Sequence, residues 1–62
     1  MKEVDTSNDC MVCASGLGVG ILFPPAGPMP KDKALRLAAW LVALADESGT
    51  EFQPVLDAVR NT

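Results

Sequence analysis

The segment from Lys31 to Asp46 constrains the fold more than any other part of the sequence. It is rich in alanine and leucine, which are strong helix formers, and Pro30 before it suits the first position of a helix. From Leu37 onward the predicted helix is apolar on every side, and such a helix needs cover all round. Its apolar residues form two stripes with Trp40 and Leu44 between them, namely Ala34, Leu37, Ala38, Leu41 and Ala45, and Leu35, Ala39, Val42 and Ala43.

The rest of the chain is too short to cover such a helix by itself, because the whole sequence has 62 residues. A domain of this size buries only about 60% of the surface of its unfolded chain and is marginally stable alone. Two cysteines without any histidine do not make a disulfide framework. We therefore predict a homo-oligomer, most simply a dimer, whose shared core has Trp40, Leu41 and Leu44 at or near the interface between subunits.

The sequence before this helix predicts a polar arm and a β-hairpin. Residues 1–9 are mostly charged or turn-forming, which is typical of a flexible arm. Two short apolar runs, 10–14 and 19–23, predict the two strands of the hairpin. If Ser15 and Gly16 form a two-residue turn between them, one face of the sheet is fully apolar. That face carries Cys10, Val12, Ala14, Leu17, Val19, Ile21 and Phe23, with Val12 opposite Val19.

A proline-rich connector and a second helix complete the predicted fold. Residues 24–30, with the sequence PPAGPMP, are too rich in proline to join a sheet and predict a stiff, extended segment. A short helix is predicted over about 52–61, with a capping box at Thr50–Gln53. Its apolar residues recur at i, i+3, i+4 and i+7, namely Phe52, Val55, Leu56 and Val59. We predict one α+β domain over residues 10–62, with the order ββαα.

The two cysteines form a CxxC motif, Cys10 to Cys13, whose most economical interpretation is packing within the hairpin. A redox pair needs its first thiol at a helix N-terminus, whereas a strand is predicted here. In a strand the two positions point to opposite faces and lie about 10 Å apart, too far for a disulfide. One alternative stays open, a zinc site of four cysteines shared between two subunits. The sequence assigns no metal site within one chain and no cofactor.

The charge pattern argues against nucleic-acid binding and marks one cationic spot. The net charge is −3 and the isoelectric point is about 4.5, whereas nucleic-acid binding requires a basic surface. Positive charge is concentrated in Lys31, Lys33 and Arg36, at the start of the main predicted helix. Free backbone N–H groups and three cations there suit an anion such as a nucleotide phosphate, so these residues are candidate ligands.

Neither catalysis nor membrane insertion is indicated. The chain has no histidine and no tyrosine, and no nucleophile has a recognisable base, so we predict a protein that is not an enzyme. The longest apolar run without glycine, Leu37–Ala45, is under half of the roughly 20 residues that a spanning helix needs. The acidic start of the chain does not resemble a signal peptide, and a cytoplasmic location is therefore expected.

The stretches Lys31–Asp46 and Ala58–Thr62 resemble short accessory proteins of bacteriophages and prophages. The resemblance covers residues 28–62 and assigns no site residues. It implies a small, oligomeric protein in the cytoplasm of a bacterial host. Such proteins bind and inhibit a host factor, for example a nuclease of a defence system, or sequester a nucleotide signal.

These observations lead to three functional hypotheses. The leading one is a non-enzymatic, homo-oligomeric inhibitor that binds a host protein through residues 24–30 and the adjoining helix start. The second is a small-molecule binder in which Lys31, Lys33 and Arg36 hold the phosphates of a nucleotide between subunits. The third is the zinc protein in which each subunit contributes Cys10 and Cys13.

Overall fold

The hairpin and the two helices follow one another in the order that the sequence predicts. The structure is a computed structural model that describes residues 3–62. Its elements are β1 (Val12–Ser15), β2 (Gly18–Ile21), α1 (Lys31–Ala45) and α2 (Phe52–Arg60). The α+β class and the ββαα order are therefore confirmed, while the sharing of a core between subunits stays a prediction.

The register of the hairpin differs from the predicted one. Val12 pairs with Ile21 and Ser15 pairs with Gly18, so the turn is Gly16-Leu17 and not Ser15-Gly16. One reason is local, since the Ser15 hydroxyl accepts a hydrogen bond from the Leu17 N–H at 3.2 Å and thereby ends the strand at Ser15. A second is Gly18, whose φ of +132° is a conformation that only glycine adopts readily.

This shift of two residues keeps most of the predicted apolar face, because side chains alternate between faces with a period of two. Val12, Ala14, Val19 and Ile21 still share one side of the sheet. Leu17 does not, because it lies at the tip of the turn and is fully exposed.

Asn8 fixes the entry of the chain into β1. Its side-chain amide donates to the Val12 carbonyl at 3.0 Å, and its side-chain oxygen accepts from the Val12 N–H at 2.8 Å. The backbone between them turns sharply, with the Met11 N–H bonded to the Asn8 carbonyl and Met11 at a φ of +50°. A methionine in this left-handed region is strained, and the two Asn8 bonds hold it there.

Helix α1 packs across both strands of the hairpin. Five of its apolar residues are half-buried, and their helical spacing places most of them on the side that it turns toward the sheet. They are Leu37, Trp40, Leu41, Val42 and Leu44. Cys10 and Val12 are the only buried apolar residues among residues 3–62, and Val12 is 5% exposed. The core is therefore one thin layer between hairpin and helix.

Helix α2 is attached differently, through the loop before it. The carboxylate of Asp46, just after α1, accepts hydrogen bonds from the N–H groups of Gly49 (2.9 Å), Glu51 (3.1 Å) and Phe52 (2.9 Å). Asp46 thus caps the start of α2 in place of the predicted Thr50–Gln53 capping box. Within residues 3–62, α2 packs broadly on neither the hairpin nor α1.

The chain exposes far more surface than a compact monomer of its mass. Its accessible surface is 5255 Å², whereas about 3,800 Å² is expected for 6.5 kDa, an excess of about 1,400 Å². The radius of gyration is 12.8 Å, against about 10.6 Å expected for this length. No helix in residues 3–62 combines the length and apolarity needed to cross a bilayer.

Candidate functional site

A groove of about 800 Å³ lies between residues 3–6 and one side of α1. This side of α1 differs from the side that packs against the hairpin. The groove is lined by Glu3, Val4, Asp5, Thr6, Asp32, Leu35, Arg36, Ala39, Trp40 and Ala43. We call this concavity the α1 groove.

The side of α1 that lines the groove carries an apolar strip. Leu35, Ala39 and Ala43 are spaced by four residues, so they lie one above another on the helix. Leu35 is 71% exposed, and Val4 on the opposite wall is exposed as well. Small side chains along a helix let another backbone approach closely, so this floor suits the side of a second helix.

Arg36 holds the polar wall of the groove in place. Its guanidinium lies 3.4 Å from an Asp5 oxygen, 3.3 Å from Asp9 and 3.7 Å from Asp32, and its side chain is 20% exposed. The pKa of Asp5 lies below its ordinary value, chiefly because the Ser7 hydroxyl and N–H donate to the carboxylate and in part because of the nearby Arg36 charge. Residues 5–9 are therefore tied to α1.

Trp40 ties the same segment to the middle of α1. Its indole N–H donates to the Thr6 carbonyl at 3.1 Å. Trp40 lines the α1 groove, and it also lines a small cavity beside Cys10 and Leu37. Trp40 thus separates the thin core from the exposed groove.

The structure does not bring Lys31, Lys33 and Arg36, the candidate anion ligands, together as three free cations. Arg36 is occupied by three carboxylates, whereas Lys31 and Lys33 are exposed at the start of α1. An anion at this position would compete with Asp5, Asp9 and Asp32 for Arg36. The anion site stays a prediction, and the contacts of Arg36 assign it first to holding the chain segment before β1.

The candidate interface residues divide between two surfaces. Leu41 and Leu44 are half-buried on the side of α1 that packs toward the hairpin, while Trp40 also borders the groove. Leu35, Ala39 and Ala43 line the groove but are absent from the predicted interface. The signal for them was present, since they belong to the second apolar stripe of the helix, but periodicity does not tell which stripe the hairpin covers.

The two cysteines have different environments. Cys10 is buried beneath α1, Cys13 is exposed on the hairpin, and neither forms a disulfide. No group of three or more histidine, cysteine or acidic side chains within residues 3–62 is placed to hold a metal ion. A zinc site shared between subunits therefore requires Cys10 to become accessible from beneath the helix.

A second apolar surface lies where the hairpin meets the connector. Met11, Leu22 and Phe23 are exposed there, and Phe23 is bonded through its N–H to the Cys10 carbonyl at 3.0 Å. The proline-rich residues 24–30 continue directly from Phe23. We call Met11, Leu22, Phe23 and residues 24–30 the hairpin–connector surface.

These two surfaces suit binding of apolar groups. An apolar groove flanked by charged residues is the usual receptor for an amphipathic helix, and a stiff proline-rich segment loses little conformational entropy when it is bound. No protein-family profile, no curated protein and no solved structure matches this chain. Its function is therefore inferred from these surfaces and from the residues that form them.

Proposed function

We propose that this protein is a non-enzymatic accessory protein of the phage type, which acts in the bacterial cytoplasm as a homo-oligomer that binds and inhibits a host protein. One observation carries the proposal, namely the excess of about 1,400 Å² of accessible surface over a compact monomer. Soluble monomers rarely leave large apolar patches uncovered, and such patches mark surfaces that bind other proteins.

The distribution of the exposed apolar residues favours protein partners over one small ligand. They occur on the hairpin–connector surface, in the α1 groove and on α2, for example Phe23, Leu35 and Val59. A small molecule fills a single pocket, whereas separate surfaces on different elements suit an oligomer that also binds a second protein. The hairpin–connector surface is the one we assign to the host protein.

Native mass spectrometry of protein purified from bacteria tests the first half of this proposal. We expect a single oligomeric species without added mass. A monomer at micromolar concentration contradicts the homo-oligomer. A mass excess matching a nucleotide supports the alternative ligand site at Lys31, Lys33 and Arg36, and an excess matching zinc supports the shared cysteine site.

Matched variants test the second half. Phe23→Ser removes a large apolar side chain from the hairpin–connector surface, whereas Leu17→Ser removes one from the tip of the turn, where the side chain is fully exposed. We expect F23S to lose capture of the host protein and inhibition of its activity, and L17S to retain both. Equal behaviour of the two variants contradicts the assignment of this surface.

A further inference from the structure

The α1 groove and the apolar face of α2 are similar in length, and both expose apolar side chains. Helix α2 presents Phe52, Val55 and Val59 to solvent, and Val55 is 59% exposed. The groove runs along α1 from Asp32 to Ala43, which corresponds to about 16 Å, and the nine residues of α2 span about 13 Å. Within residues 3–62, no α2 residue lines the groove of its own chain.

We propose that α2 of one copy lies in the α1 groove of a second copy, and that the exchange is reciprocal. This proposal rests on the homo-oligomer of the proposed function and specifies how its subunits meet. A two-fold dimer gives each chain one filled groove and one covered helix, so both apolar surfaces are satisfied by the same contact.

The area of exposed surface agrees with a second copy as the occupant. A stable protein interface of standard size buries about 800 Å² on each partner. Each chain carries an excess of about 1,400 Å², which is enough for such an interface and leaves the hairpin–connector surface for another protein. A small apolar ligand in the groove would leave the face of α2 exposed.

The charges around the groove determine the direction in which α2 lies. Three acidic residues line the groove, namely Glu3, Asp5 and Asp32, against the single Arg36, and the exposed Lys31 and Lys33 at the start of α1 are not among the lining residues. Arg60 is the basic residue in the last turn of α2. An antiparallel arrangement places Arg60 toward the carboxylates of Asp5 and Asp32 and opposes the two helix dipoles favourably. Ala39 then lies opposite Val55, and Leu35 opposite Val59.

Disulfide trapping between two different variants tests this geometry, because each chain then carries only one new cysteine. In a Cys13→Ser background, protein with Ala39→Cys is mixed with protein with Val55→Cys under mild oxidation, and Leu35→Cys is mixed with Val59→Cys. We expect both mixtures to form a covalent dimer, since facing positions bring the two Cα atoms within about 7 Å. Ala43→Cys mixed with Val59→Cys is the matched control and is expected to form none.

A complementation experiment gives an independent readout. Ala39→Glu blocks the groove and Val55→Glu blocks the helix, and each is expected to raise the dimer dissociation constant by about 100-fold or more. In a mixture, the intact α2 of A39E fits the intact groove of V55E, so the mixed dimer is expected to form more tightly than either variant alone. Both positions are exposed in one chain, and unchanged circular dichroism of the monomers shows that folding is intact.

The outcomes separate this inference from the proposed function. If the wild-type protein is oligomeric but neither cysteine mixture is trapped and no complementation occurs, the subunits meet elsewhere and only this inference is overturned. Ala39 faces Val55 in a parallel arrangement as well, so trapping of the control pair Ala43–Val59 in place of the Leu35–Val59 pair overturns the antiparallel arrangement. If the wild-type protein is monomeric, the homo-oligomer itself is contradicted.

Discussion

The two helices of this protein both carry apolar residues that need cover but are attached to the rest of the chain in opposite ways. Helix α1 packs on both strands through one side, and residues 5–9 are bonded to it through Arg36 and Trp40. Helix α2 is connected through the hydrogen bonds of Asp46, and its Phe52, Val55 and Val59 remain exposed. The difference teaches that helical periodicity identifies a face that needs cover but does not identify the element that covers it.

The largest effect is expected for Trp40, which joins the segment before β1 to α1. Trp40→Ala removes a large half-buried ring and the hydrogen bond to Thr6, and should lower the free energy of unfolding by about 2–3 kcal/mol. Trp40→Phe keeps an aromatic ring without the indole N–H and should cost about 1 kcal/mol. Urea denaturation measures both values. Equal losses for the two variants would mean that the hydrogen bond, and not the ring, connects the two parts.

Two valine substitutions compare the two helical regions directly. Val12→Ala, at the most buried position between hairpin and α1, should lower the free energy of unfolding by about 2 kcal/mol at every protein concentration. Val55→Ala, on the exposed face of α2, should change the stability of the monomer by less than about 0.5 kcal/mol. If α2 is covered by a second copy, the V55A effect grows with protein concentration. Thermal unfolding over a hundredfold dilution series distinguishes these behaviours.

A smaller loss of stability is expected for Asn8, whose side chain is bonded to the backbone at the start of β1. Asn8→Ala removes both hydrogen bonds to the Val12 backbone and should cost about 1–2 kcal/mol, whereas Asn8→Asp retains the acceptor for the Val12 N–H and should cost less. Amide hydrogen exchange at Val12 should accelerate in N8A. Unchanged exchange at Val12 would show that the strand does not depend on this side chain.

The elements themselves were largely predictable from the sequence. The alanine- and leucine-rich segment predicted a helix over 31–46 and the structure has Lys31–Ala45, while the second helix was predicted over 52–61 and observed at Phe52–Arg60. The first consists mainly of strong helix formers, and the second carries a clear helical period of apolar residues, so both signals are local in the sequence. The hairpin register was missed because it depends on a bond of the Ser15 hydroxyl and on the conformation of Gly18, which a hydrophobic pattern does not reveal.

The α1 groove was harder to predict from the sequence than the elements that form it. Its polar wall depends on the ion pairs of Arg36 with Asp5 and Asp9. Its edge depends on the hydrogen bond from Trp40 to Thr6, which is 34 residues away in the sequence. Such pairs are brought together only by the packing of α1 on the hairpin. The three cations at the start of α1 therefore predicted an anion site, whereas the structure gives one of them three carboxylate partners.

The pH dependence of α2 gives the finest test of the comparison, because the connection of this helix depends on a single carboxylate. The pKa of Asp46 is held below its ordinary value of 3.8, first by the hydrogen bond from the Phe52 N–H and further by those from Glu51 and Gly49. A carboxyl whose pKa is depressed in the folded state stabilises it above the ordinary pKa, and this contribution is lost as the pH falls through the depressed value. The helical signal of α2 should therefore decrease below about pH 4.

Asp46→Asn should show the weakened α2 already at neutral pH, because its amide nitrogen accepts no hydrogen bond, and should show little further loss on acidification. Asp5→Asn is the matched control, since Asp5 also has a depressed pKa but acts on α1 through Arg36 and not on α2. Nuclear magnetic resonance shifts of α2 amides between pH 6 and 2.5 measure the effect. The prediction is contradicted if the α2 amide shifts of D46N and D5N change in the same way as the pH falls. In that case α2 is held by contacts with the α1 region, and the two helices are not attached in different ways.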